Sequence, residues 1–490
     1  MRRSISTLIP GRNHSGSSTE LQPLFSYHGS DMNIQSFADL PLSDSTLEDL
    51  AQLGYKQPTP IQAQGLPAVL AGRDLQAKAE TGSGKTAAFG IGIIEKIDLD
   101  NLQPQALIIA PTRELCNQIT TAMRSFGRSK ANLRVLTLCG GTAKHPQRDS
   151  LKKGVHIIVG TPGRIFDHLE GGYLTLSAMQ TVVLDEADRM LDMGFAPQIG
   201  DIVSHFPEQH QTLLFSATFN QQARELANAI TDDPLFIEVE AEQTTVNLKQ
   251  KLCRCTTENR AQTVHNLLIQ HQFESCIIFC NTKKVCHQLR IDLRNMGHAA
   301  LTLHGDLEQT EREDILVQFA HNSATILIAT DVAARGLDIE AVPGVINYDV
   351  PTDPATYTHR IGRTARAGQL GVAITLCSNQ ETHRWERILE LQETEVDPIL
   401  SKDPLGKQPI FAPYKTVCVL GGRKQKLRPG DLLGALTRDD HLSREQIGKI
   451  DVMQNVSYVA IVNSYAKAAL QQIQNGRIKG KKYRAKLLNL

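Results

Sequence analysis

Two successive sets of short apolar segments constrain the fold of this 490-residue chain more than any other feature. Continuous apolar runs, rather than alternating ones, are typical of strands buried on both faces of a parallel sheet. The polar stretches between them are long enough for crossover helices, so the sequence predicts two tandem α/β domains. The runs are rich in Ile, Val and Leu and lie at 106–110, 134–141, 155–162, 181–186 and 212–218, then at 276–282, 300–305, 325–331, 344–351 and 371–376.

These sets predict the boundaries of the domains. The first 31 residues are rich in Ser, Arg and Gly, and we expect them to be a poorly structured extension or translation upstream of a start at Met32, although a transit peptide stays open. Three prolines in 401–413 indicate a linker. The predicted segments are an extension (1–31), a first α/β domain (32–240), a second (241–400), the linker (401–413) and a small C-terminal domain (414–490).

Charge is distributed unevenly along a chain whose formal net charge is zero. Residues 411–490 carry 15 Lys and Arg against 5 Asp and Glu, so the other 410 residues carry 37 against 47. A basic segment of this kind suits a polyphosphate partner, because neutralised phosphates release counterions. A solvated, disordered basic tail is the alternative that composition alone favours.

Composition also excludes several classes of protein. No apolar run approaches the roughly 20 residues that a membrane helix needs, so we expect no membrane partner. The nine cysteines are scattered and contain no C-x-x-C pair, which argues against a disulfide framework and a structural metal. We expect reduced thiols in a cytoplasmic protein, and a monomer.

The segment AETGSGKT, residues 79–86, is close to the phosphate-binding loop G-x-x-x-x-G-K-[ST]. Its glycines permit a tight turn whose backbone N–H groups face an anion at a helix N-terminus. Lys85 would reach the β- and γ-phosphates of ATP, and Thr86 would bind Mg²⁺. The alternative is a Gly-Ser loop that happens to precede a lysine. The candidate nucleotide-binding residues here are Thr81, Gly82, Ser83, Gly84, Lys85 and Thr86.

Three carboxylates follow a predicted apolar strand directly, in the segment DEAD, residues 185–188. They would lie at the carboxyl edge of a parallel sheet, where such folds bind ligands. Asp185 is placed to hold Mg²⁺, and Glu186 to orient or deprotonate the attacking water. An acidic first turn of a helix is the alternative. The combination with the phosphate loop in one predicted domain favours catalysis.

Three arginines in HRIGRTARAG, residues 359–368, recur every third residue. On a helix, Arg360, Arg363 and Arg366 would share a face. Arginines presented to the nucleotide stabilise the charge of phosphoryl transfer, so Arg363 and Arg366 are predicted catalytic residues. A solvated basic helix face is the alternative.

From about Phe37 to residue 400 the chain resembles the DEAD-box RNA helicases. The resemblance rests on GYKQPTPIQ (54–62), PTREL (111–115), GG (140–141), TPGR (161–164), SAT (216–218), QTER (309–312) and ATDVAARGLD (329–338). It implies two RecA-like domains and local, non-processive, ATP-dependent opening of RNA duplexes.

The resemblance also implies roles for individual residues. Phe37 and Gln62 would read adenine, Asp338 would contact the ribose, and Ser216 and Thr218 would couple hydrolysis to strand separation. The implied RNA-binding residues of the two motor domains are Pro111, Thr112, Arg113, Gly141, Thr161, Arg164, Arg312 and Thr330.

Residues 414–490 fit the order β-α-β-β-α-β, which resembles an RNA-recognition-motif domain. The strands are predicted at 416–422, 447–453, 457–462 and 480–488, and the helices at 429–438 and 464–475. One of two usual stacking aromatics is present as Tyr458, whereas Ala460 holds the other position. An ordinary strand aromatic and solubilising lysines are the alternative. The predicted RNA-binding residues are Arg423, Lys424, Lys426, Tyr458, Lys481 and Lys482.

Together with the motor, this tail resembles a bacterial subgroup of the family whose C-terminal domain binds a hairpin of 23S ribosomal RNA. The resemblance implies a role on precursor particles of the large (50S) ribosomal subunit. The alternatives are an ATP-gated RNA-binding assembly factor and a general RNA chaperone without ribosomal specificity. A DNA helicase is disfavoured, since the motif set points to RNA.

Overall fold

The computed structural model describes residues 34–79, 82–239, 248–334, 341–365, 370–392, 396–402, 408–438 and 442–489. These residues divide into two compact units, one up to residue 239 and one from residue 248 onward. Among them, every helix is too short or too polar to span a lipid bilayer.

The first unit is a parallel sheet with helices on its faces. Its seven strands are arranged in the order β3-β4-β2-β5-β6-β1-β7. The strands are β1 Leu75–Lys78, β2 Ala106–Ile109, β3 Val135–Leu138, β4 Ile157–Gly160, β5 Thr181–Leu184, β6 Gln211–Ser216 and β7 Leu235–Glu238. The helices are α1 Asp44–Gln52, α2 Pro60–Leu70, α3 Lys85–Lys96, α4 Arg113–Phe126, α5 Lys144–Lys152, α6 Pro162–Glu170, α7 Ala187–Asp192, α8 Ala196–Val203 and α9 Gln221–Ile230.

The second unit begins with another seven-stranded parallel sheet, in the order β10-β11-β9-β12-β13-β8-β14. Its strands are β8 Leu248–Arg254, β9 Cys276–Cys280, β10 Ala300–Leu303, β11 Ile326–Thr330, β12 Gly344–Asn347, β13 Gly371–Cys377 and β14 Asp397–Ile399. Its helices are α10 Arg260–His271, α11 Lys283–Asn295, α12 Gln309–Ala320, α13 Asp331–Ala334, α14 Pro354–Ile361 and α15 Thr382–Gln392.

All ten predicted apolar runs form strands of the two sheets, which confirms the tandem α/β fold. The strands β2, β4, β5 and β6 are buried at every position, as the continuous apolar pattern predicts. The sheets also contain four strands that the pattern did not show, namely β1, β7, β8 and β14.

The second unit ends in a small antiparallel sheet in the order β16-β17-β15-β18, with two helices packed on one face. Val417, Val459 and Ile461 point from this sheet into the core with the helices, as alternate residues of a strand should. The strands are β15 Tyr414–Val419, β16 Ile447–Val452, β17 Ser457–Val462 and β18 Ala485–Leu487, and the helices are α16 Pro429–Leu436 and α17 Ala466–Asn475.

This sheet confirms the predicted β-α-β-β-α-β order, with one correction at its end. The predicted strand 480–488 is wrong in extent, because only Ala485–Leu487 pairs with β15. Residues before it form a loop that contains Lys479 and Gly480, both at positive φ, and an isolated bridge between Ile478 and Lys481. Positive φ angles are incompatible with a continuous strand.

Candidate nucleotide site and nucleic-acid interface

The order of strands in the first sheet sorts the predicted site residues into two groups. The phosphate loop follows β1, the DEAD segment follows β5 and the SAT segment ends β6, and these three strands are neighbours. The segments PTREL, GG and TPGR follow β2, β3 and β4, which are neighbours on the other half of the sheet. Parallel strands end at one edge of the sheet. The segments after β1, β5 and β6 therefore form one half of that edge, and the segments after β2, β3 and β4 form the other half.

The phosphate loop is shaped by two glycines in the left-handed region. Gly82 has φ 92°, and Gly84 has φ 95° and caps the N-terminus of α3. A Cβ at Gly84 would lie 2.4 Å from Nε2 of Gln62, so a larger residue would displace that amide and would also be strained by the positive φ. Lys85 begins the helix and is buried, and its Nζ donates to the Ala79 carbonyl at 3.0 Å. The loop therefore presents a helix N-terminus and a buried ammonium group to an anion.

Gln62 supports this loop from α2. Its Nε2 donates to the Gly84 carbonyl at 3.1 Å, and its Oε1 accepts from the Thr59 backbone N–H at 3.0 Å. The hydroxyl of Thr59 donates to the Ser83 carbonyl at 2.8 Å. Gln62 thus links the GYKQPTPIQ segment to the phosphate loop. Its amide keeps a second N–H and a second lone pair, and its predicted reading of adenine stays a prediction.

Phe37 lies in a short 3₁₀ turn and is 4% exposed. Its ring packs edge-on against Tyr55, with 6.1 Å between the ring centroids. Because the ring is buried, it can offer adenine no more than an edge in this conformation. The predicted adenine contact of Phe37 stays a prediction.

Asp185 and Glu186 lie directly after β5, as predicted. Burial raises the pKa of Asp185 to about 6, an effect that Lys85 partly offsets. Glu186 has φ 54°, a left-handed conformation that residues with a Cβ rarely adopt outside functional sites. Its Oε2 accepts from Nη1 of Arg189 at 2.6 Å. A buried carboxyl and a strained, arginine-held carboxylate therefore stand beside the phosphate loop.

A second set of hydrogen bonds joins the DEAD segment to the SAT segment. Oδ2 of Asp188 accepts from both the backbone N–H and the hydroxyl of Thr218, each at 2.8 Å. The Asp188 N–H donates to the Ser216 hydroxyl at 3.2 Å, and that hydroxyl donates to the Thr218 carbonyl at 2.7 Å. These hydrogen bonds connect the DEAD segment directly to residues 216–218.

On the other half of the first sheet, three predicted segments meet. Arg113 begins α4 and lies against the glycine pair, since a Cβ at Gly141 would be 1.8 Å from its Nη1. Pro111 and Thr112 precede the same helix, and the Thr112 hydroxyl accepts from the Leu115 N–H at 3.3 Å. Helix N-termini attract phosphate, so this edge suits a sugar–phosphate backbone.

Arg164, which the resemblance implies as an RNA-binding residue, is buried and bonded within its own domain. It is 8% exposed, and its Nη1 donates to the Gln147 Oε1 at 2.7 Å and to the Thr142 carbonyl at 3.1 Å. Arg164 therefore holds the loop after Gly141, whereas Thr161, the N-cap of α6, is half-buried and more open. A direct RNA contact of Arg164 stays a prediction.

In the second motor domain, Arg312 of α12 is bonded to the helix that follows Thr330. Nη2 of Arg312 donates to the Ala333 carbonyl of α13 at 2.6 Å, and α13 begins directly after Thr330, the last residue of β11. Next to it, Arg360 donates to Asp331 through Nε at 2.6 Å and Nη2 at 2.8 Å. Arg360 is almost fully buried, so it ties the strand ends together instead of serving as an exposed basic residue.

The prediction that three arginines share a helix face is wrong. α14 ends at Ile361, so Arg360 lies on the helix and Arg363 lies in the following turn. Gly362, between them, ends the helical hydrogen bonding. Arg366, Asp338 and Thr81 lie outside the described residues, and their roles stay predictions.

The basic residues of the C-terminal domain converge on one end of its sheet. Two basic loops, 420–428 and 476–484, meet where Nζ of Lys479 donates to the Lys426 carbonyl at 3.1 Å. The turn 453–456 lies against the first of these loops, because the Met453 carbonyl accepts from the Arg423 N–H at 2.8 Å. The exposed cations of the two loops are Arg423, Lys424, Lys426, Arg428, Arg477, Lys479, Lys481, Lys482 and Arg484.

Tyr458, by contrast, does not lie on this basic surface. It is 3% exposed, and its hydroxyl donates to Oδ1 of Asp314 on α12 at 2.8 Å. Burial, followed by the nearby Asp314 carboxylate, raises the pKa of Tyr458. The ring therefore has no open face for a base, and Ala460 beside it is also buried. Tyr458 was predicted to stack on a base, but in this structure it packs against the second motor domain.

Comparison with known proteins accounts for nearly the whole described chain. Three family models match in succession: the DEAD/DEAH box helicase at residues 59–226, the helicase conserved C-terminal domain at 259–368, and the DbpA RNA binding domain at 416–487. The ATP-dependent RNA helicase DbpA of Escherichia coli (strain K12) is 45% identical over 91% of this chain and 98% of its own length. The chain belongs to the DbpA-type DEAD-box ATP-dependent RNA helicases.

Other relatives agree with this family. DbpA of Bacillus subtilis (strain 168) is 37% identical over 92% of this helicase and 99% of its own length. Among solved structures, S. cerevisiae Dbp5 bound to RNA and ADP BeF3 is 32% identical, with a TM-score of 0.68 over 75% of this chain and 96% of that chain. Both motor domains and the small domain therefore have the predicted fold class.

The sequence prediction missed two residues of this helicase, Asp188 and Arg189. Asp188 carries the contacts to the SAT segment, and Arg189 holds Glu186. The sequence did point to both residues, because they follow Asp185 and Glu186 in the segment VVLDEADRM. Assigning their contacts required the position of β6 beside β5, which a local motif does not give.

A double substitution, Ser216→Ala with Thr218→Ala, should uncouple this helicase. It removes the Ser216 hydroxyl, which accepts from the Asp188 N–H, and the Thr218 hydroxyl, which donates to the Asp188 carboxylate, and leaves the phosphate loop and Glu186 in place. We expect the number of duplexes opened per ATP hydrolysed to fall about tenfold, a change within the range of a typical coupling energy between two sites. The rate of RNA-stimulated ATP hydrolysis should change less than about twofold.

A fluorescent duplex-separation assay run beside a phosphate-release assay measures both quantities. The matched control is Thr121→Ala with Ser125→Ala, whose hydroxyls donate to carbonyls of their own helix. Equal losses of hydrolysis and opening in the Ser216/Thr218 variant would contradict a coupling role.

Proposed function

We propose that this helicase uses the basic loops of its C-terminal domain to bind a hairpin of 23S ribosomal RNA and opens a nearby helix during assembly of the large (50S) subunit, as a cytoplasmic monomer. The observation that carries the proposal is the convergence of nine exposed cations from loops 420–428 and 476–484 on one end of the sheet. This surface lies within residues 416–487, which match the DbpA RNA binding domain.

Exposed apolar side chains beside the basic loops support recognition of a hairpin in preference to nonspecific binding of phosphate. Leu420 is 50% exposed and Met453 is 40% exposed, and both adjoin Arg423 through the loop and turn. Cations position a sugar–phosphate backbone, whereas apolar contacts add to the recognition of unpaired bases. The combination suits a hairpin, which offers both a backbone and a loop.

We infer that the motor domains hydrolyse ATP with Mg²⁺, in line with the Dbp5 relative bound to RNA and ADP BeF3. The residues fit the cation, because the buried Asp185 carboxyl and the Thr86 hydroxyl are oxygen donors beside Lys85. Bound Mg²⁺ would neutralise charge on the phosphates during transfer. Glu186 would orient or deprotonate the attacking water, and Arg363 and Arg366 would stabilise the developing charge.

The proposed RNA grip of the motor domains uses Pro111, Thr112, Arg113, Gly141, Thr161 and Arg164 in the first domain. In the second it uses Arg312 and Thr330. These residues suit backbone contacts, because they lie at helix N-termini and strand ends and not on a groove-reading element. Sequence preference then depends on the C-terminal domain.

The test compares RNA-stimulated ATP hydrolysis with 23S ribosomal RNA and with an unrelated RNA of equal length. We expect the variant Lys424→Ala/Lys481→Ala/Lys482→Ala to raise the half-stimulating concentration of 23S RNA about tenfold or more and to reduce the slope of affinity against salt. Lys426 and Lys479 are left unchanged, because their positive φ angles make substitution structurally ambiguous.

The matched control removes three exposed lysines of the same domain that lie outside the basic loops, as Lys415→Ala/Lys449→Ala/Lys467→Ala. It should retain preference for 23S RNA. Equal stimulation of the unsubstituted protein by both RNAs would overturn the ribosomal assignment. ATP-dependent binding without separation of a short duplex would favour a clamping assembly factor.

A further inference from the structure

The sheet of the C-terminal domain has a second face that the helices α16 and α17 do not cover. Alternation along the strands places one residue from each strand in a row across this face, since Asp451 pairs with Tyr458, Tyr458 with Cys418, and Cys418 with Lys486. We call Asp451, Tyr458, Cys418 and Lys486 the outer row. In an RNA-recognition motif this face carries the stacking aromatics.

Helix α12 of the second motor domain lies against the outer row. Asp314, Val317 and His321 recur at helical spacing, so they share one side of the helix and its C-terminal cap. Val317 packs with Cys418, Tyr458 and Leu488 in one buried cluster. The contact is thus a small apolar centre between two domains of the same unit.

Polar contacts surround that apolar centre. The Tyr458 hydroxyl donates to Asp314 at 2.8 Å, and Lys486 lies 3.8 Å from the same carboxylate. Nε2 of the fully buried His321 side chain lies 2.9 Å from Oδ2 of Asp451, and this contact lowers the pKa of Asp451.

A further pair of hydroxyls, on Ser323 and Thr416, lies 2.7 Å apart and is buried in the same contact. Buried hydrogen bonds restrict orientation, because leaving either partner unsatisfied costs about 1–3 kcal/mol. The contact between α12 and the outer row, which we call the joint, therefore fixes the orientation of the two domains as well as their position.

We propose that the outer face of the C-terminal sheet is a docking surface for α12, and that Tyr458 positions the RNA-binding domain on the second motor domain instead of stacking on a base. The basic loops lie at the end of the sheet and the outer row lies on its face, so RNA binding and docking use different residues. The C-terminal domain then holds its RNA at a fixed place relative to the second motor domain.

If the proposed function holds, a fixed joint should make duplex opening depend on the spacing between the bound hairpin and the duplex. A flexibly tethered domain would tolerate many spacings between the bound hairpin and the duplex, because the linker would adjust. A docked domain should favour a narrow range of spacings. Loosening the joint should flatten this dependence and leave hairpin affinity unchanged.

The joint is tested first without RNA. Spin labels at the exposed positions Gln288→Cys on α11 and Asn475→Cys on α17 report the distance between the two domains of the full chain. We expect one narrow distance distribution, and a broad one after Asp314→Ala/His321→Asp, which removes the acceptor of Tyr458 and places a second carboxylate against Asp451.

Two further variants separate docking from a general loss of structure. Adding Asp451→His to His321→Asp exchanges the two partners and should restore the narrow distribution. Glu313→Ala changes an exposed carboxylate on the same helix and should have no effect. A distribution that stays narrow in the Asp314/His321 variant would overturn the proposed docking.

The second test measures opening of a duplex placed at increasing spacings from a 23S-derived hairpin. At the best spacing, the Asp314→Ala/His321→Asp variant should open the duplex about tenfold more slowly, with hairpin affinity within about twofold. Unchanged opening in a variant with a broadened distribution would overturn the positioning role. If the unsubstituted protein shows no preference for the hairpin, the proposed function is wrong. The docking measured by the spin-label distances would not be affected by that result.

Discussion

Replacing Glu186 by Gln is expected to lower the rate of ATP hydrolysis about 10³-fold, within the range for removal of a general base. The substitution keeps the size of the side chain and its place after β5, and removes the charge that orients or deprotonates water. In the structure this carboxylate is kept beside the phosphate loop by Arg189, at 2.6 Å, and by a left-handed backbone. Nucleotide binding should persist, because Lys85 and the loop are unchanged.

The same substitution should prolong RNA binding. If hydrolysis releases RNA, a chain that binds ATP without hydrolysing it remains on RNA for longer. Single-turnover hydrolysis and the lifetime of the ATP-dependent RNA complex measure the two effects together. Glu170→Gln, an exposed change of the same type on α6, is the control and should behave as the unsubstituted protein. Normal turnover by the Glu186 variant would refute its assigned role.

The motor fold was predictable because its central strands are buried on both faces. Strands β2, β4, β5 and β6 appear as continuous apolar runs, and no partner needs to be known to recognise them. The strands that escaped prediction lie toward the far end of each sheet. β7 and β14, at the edges, expose several residues to solvent, so their apolar signal is weak.

The site was predictable where a short segment makes its own geometry. Gly82, Gly84 and Lys85 form the phosphate loop within one turn, and Asp185 and Glu186 follow one strand. Prediction failed where burial by a distant element decides the role of a side chain. Arg360 was predicted to share a helix face with two other arginines, and Tyr458 to bind RNA, but Asp331 and Asp314, from other elements, pair with them.

The replacement Lys85→Ala should reduce ATP affinity about 100-fold, because truncating one partner of a buried charge pair costs about 2–5 kcal/mol. Its ammonium group is buried at the start of α3, where it donates to the Ala79 carbonyl. That bond connects the start of α3 to the residue directly after β1. A triphosphate would offer Nζ a stronger, charge-assisted acceptor in the same place.

The pH dependence of ATP binding gives a second measurement on the Lys85→Ala variant. Lys85 also lowers the pKa of Asp185, so its loss should raise that pKa further above 6 and weaken Mg²⁺-dependent binding most at acidic pH. Calorimetric titration with ATP at neutral and acidic pH, with Lys152→Ala as an exposed control, measures both effects. Unchanged affinity at either pH would place the phosphates elsewhere, since no arrangement that uses this loop could dispense with the buried ammonium group.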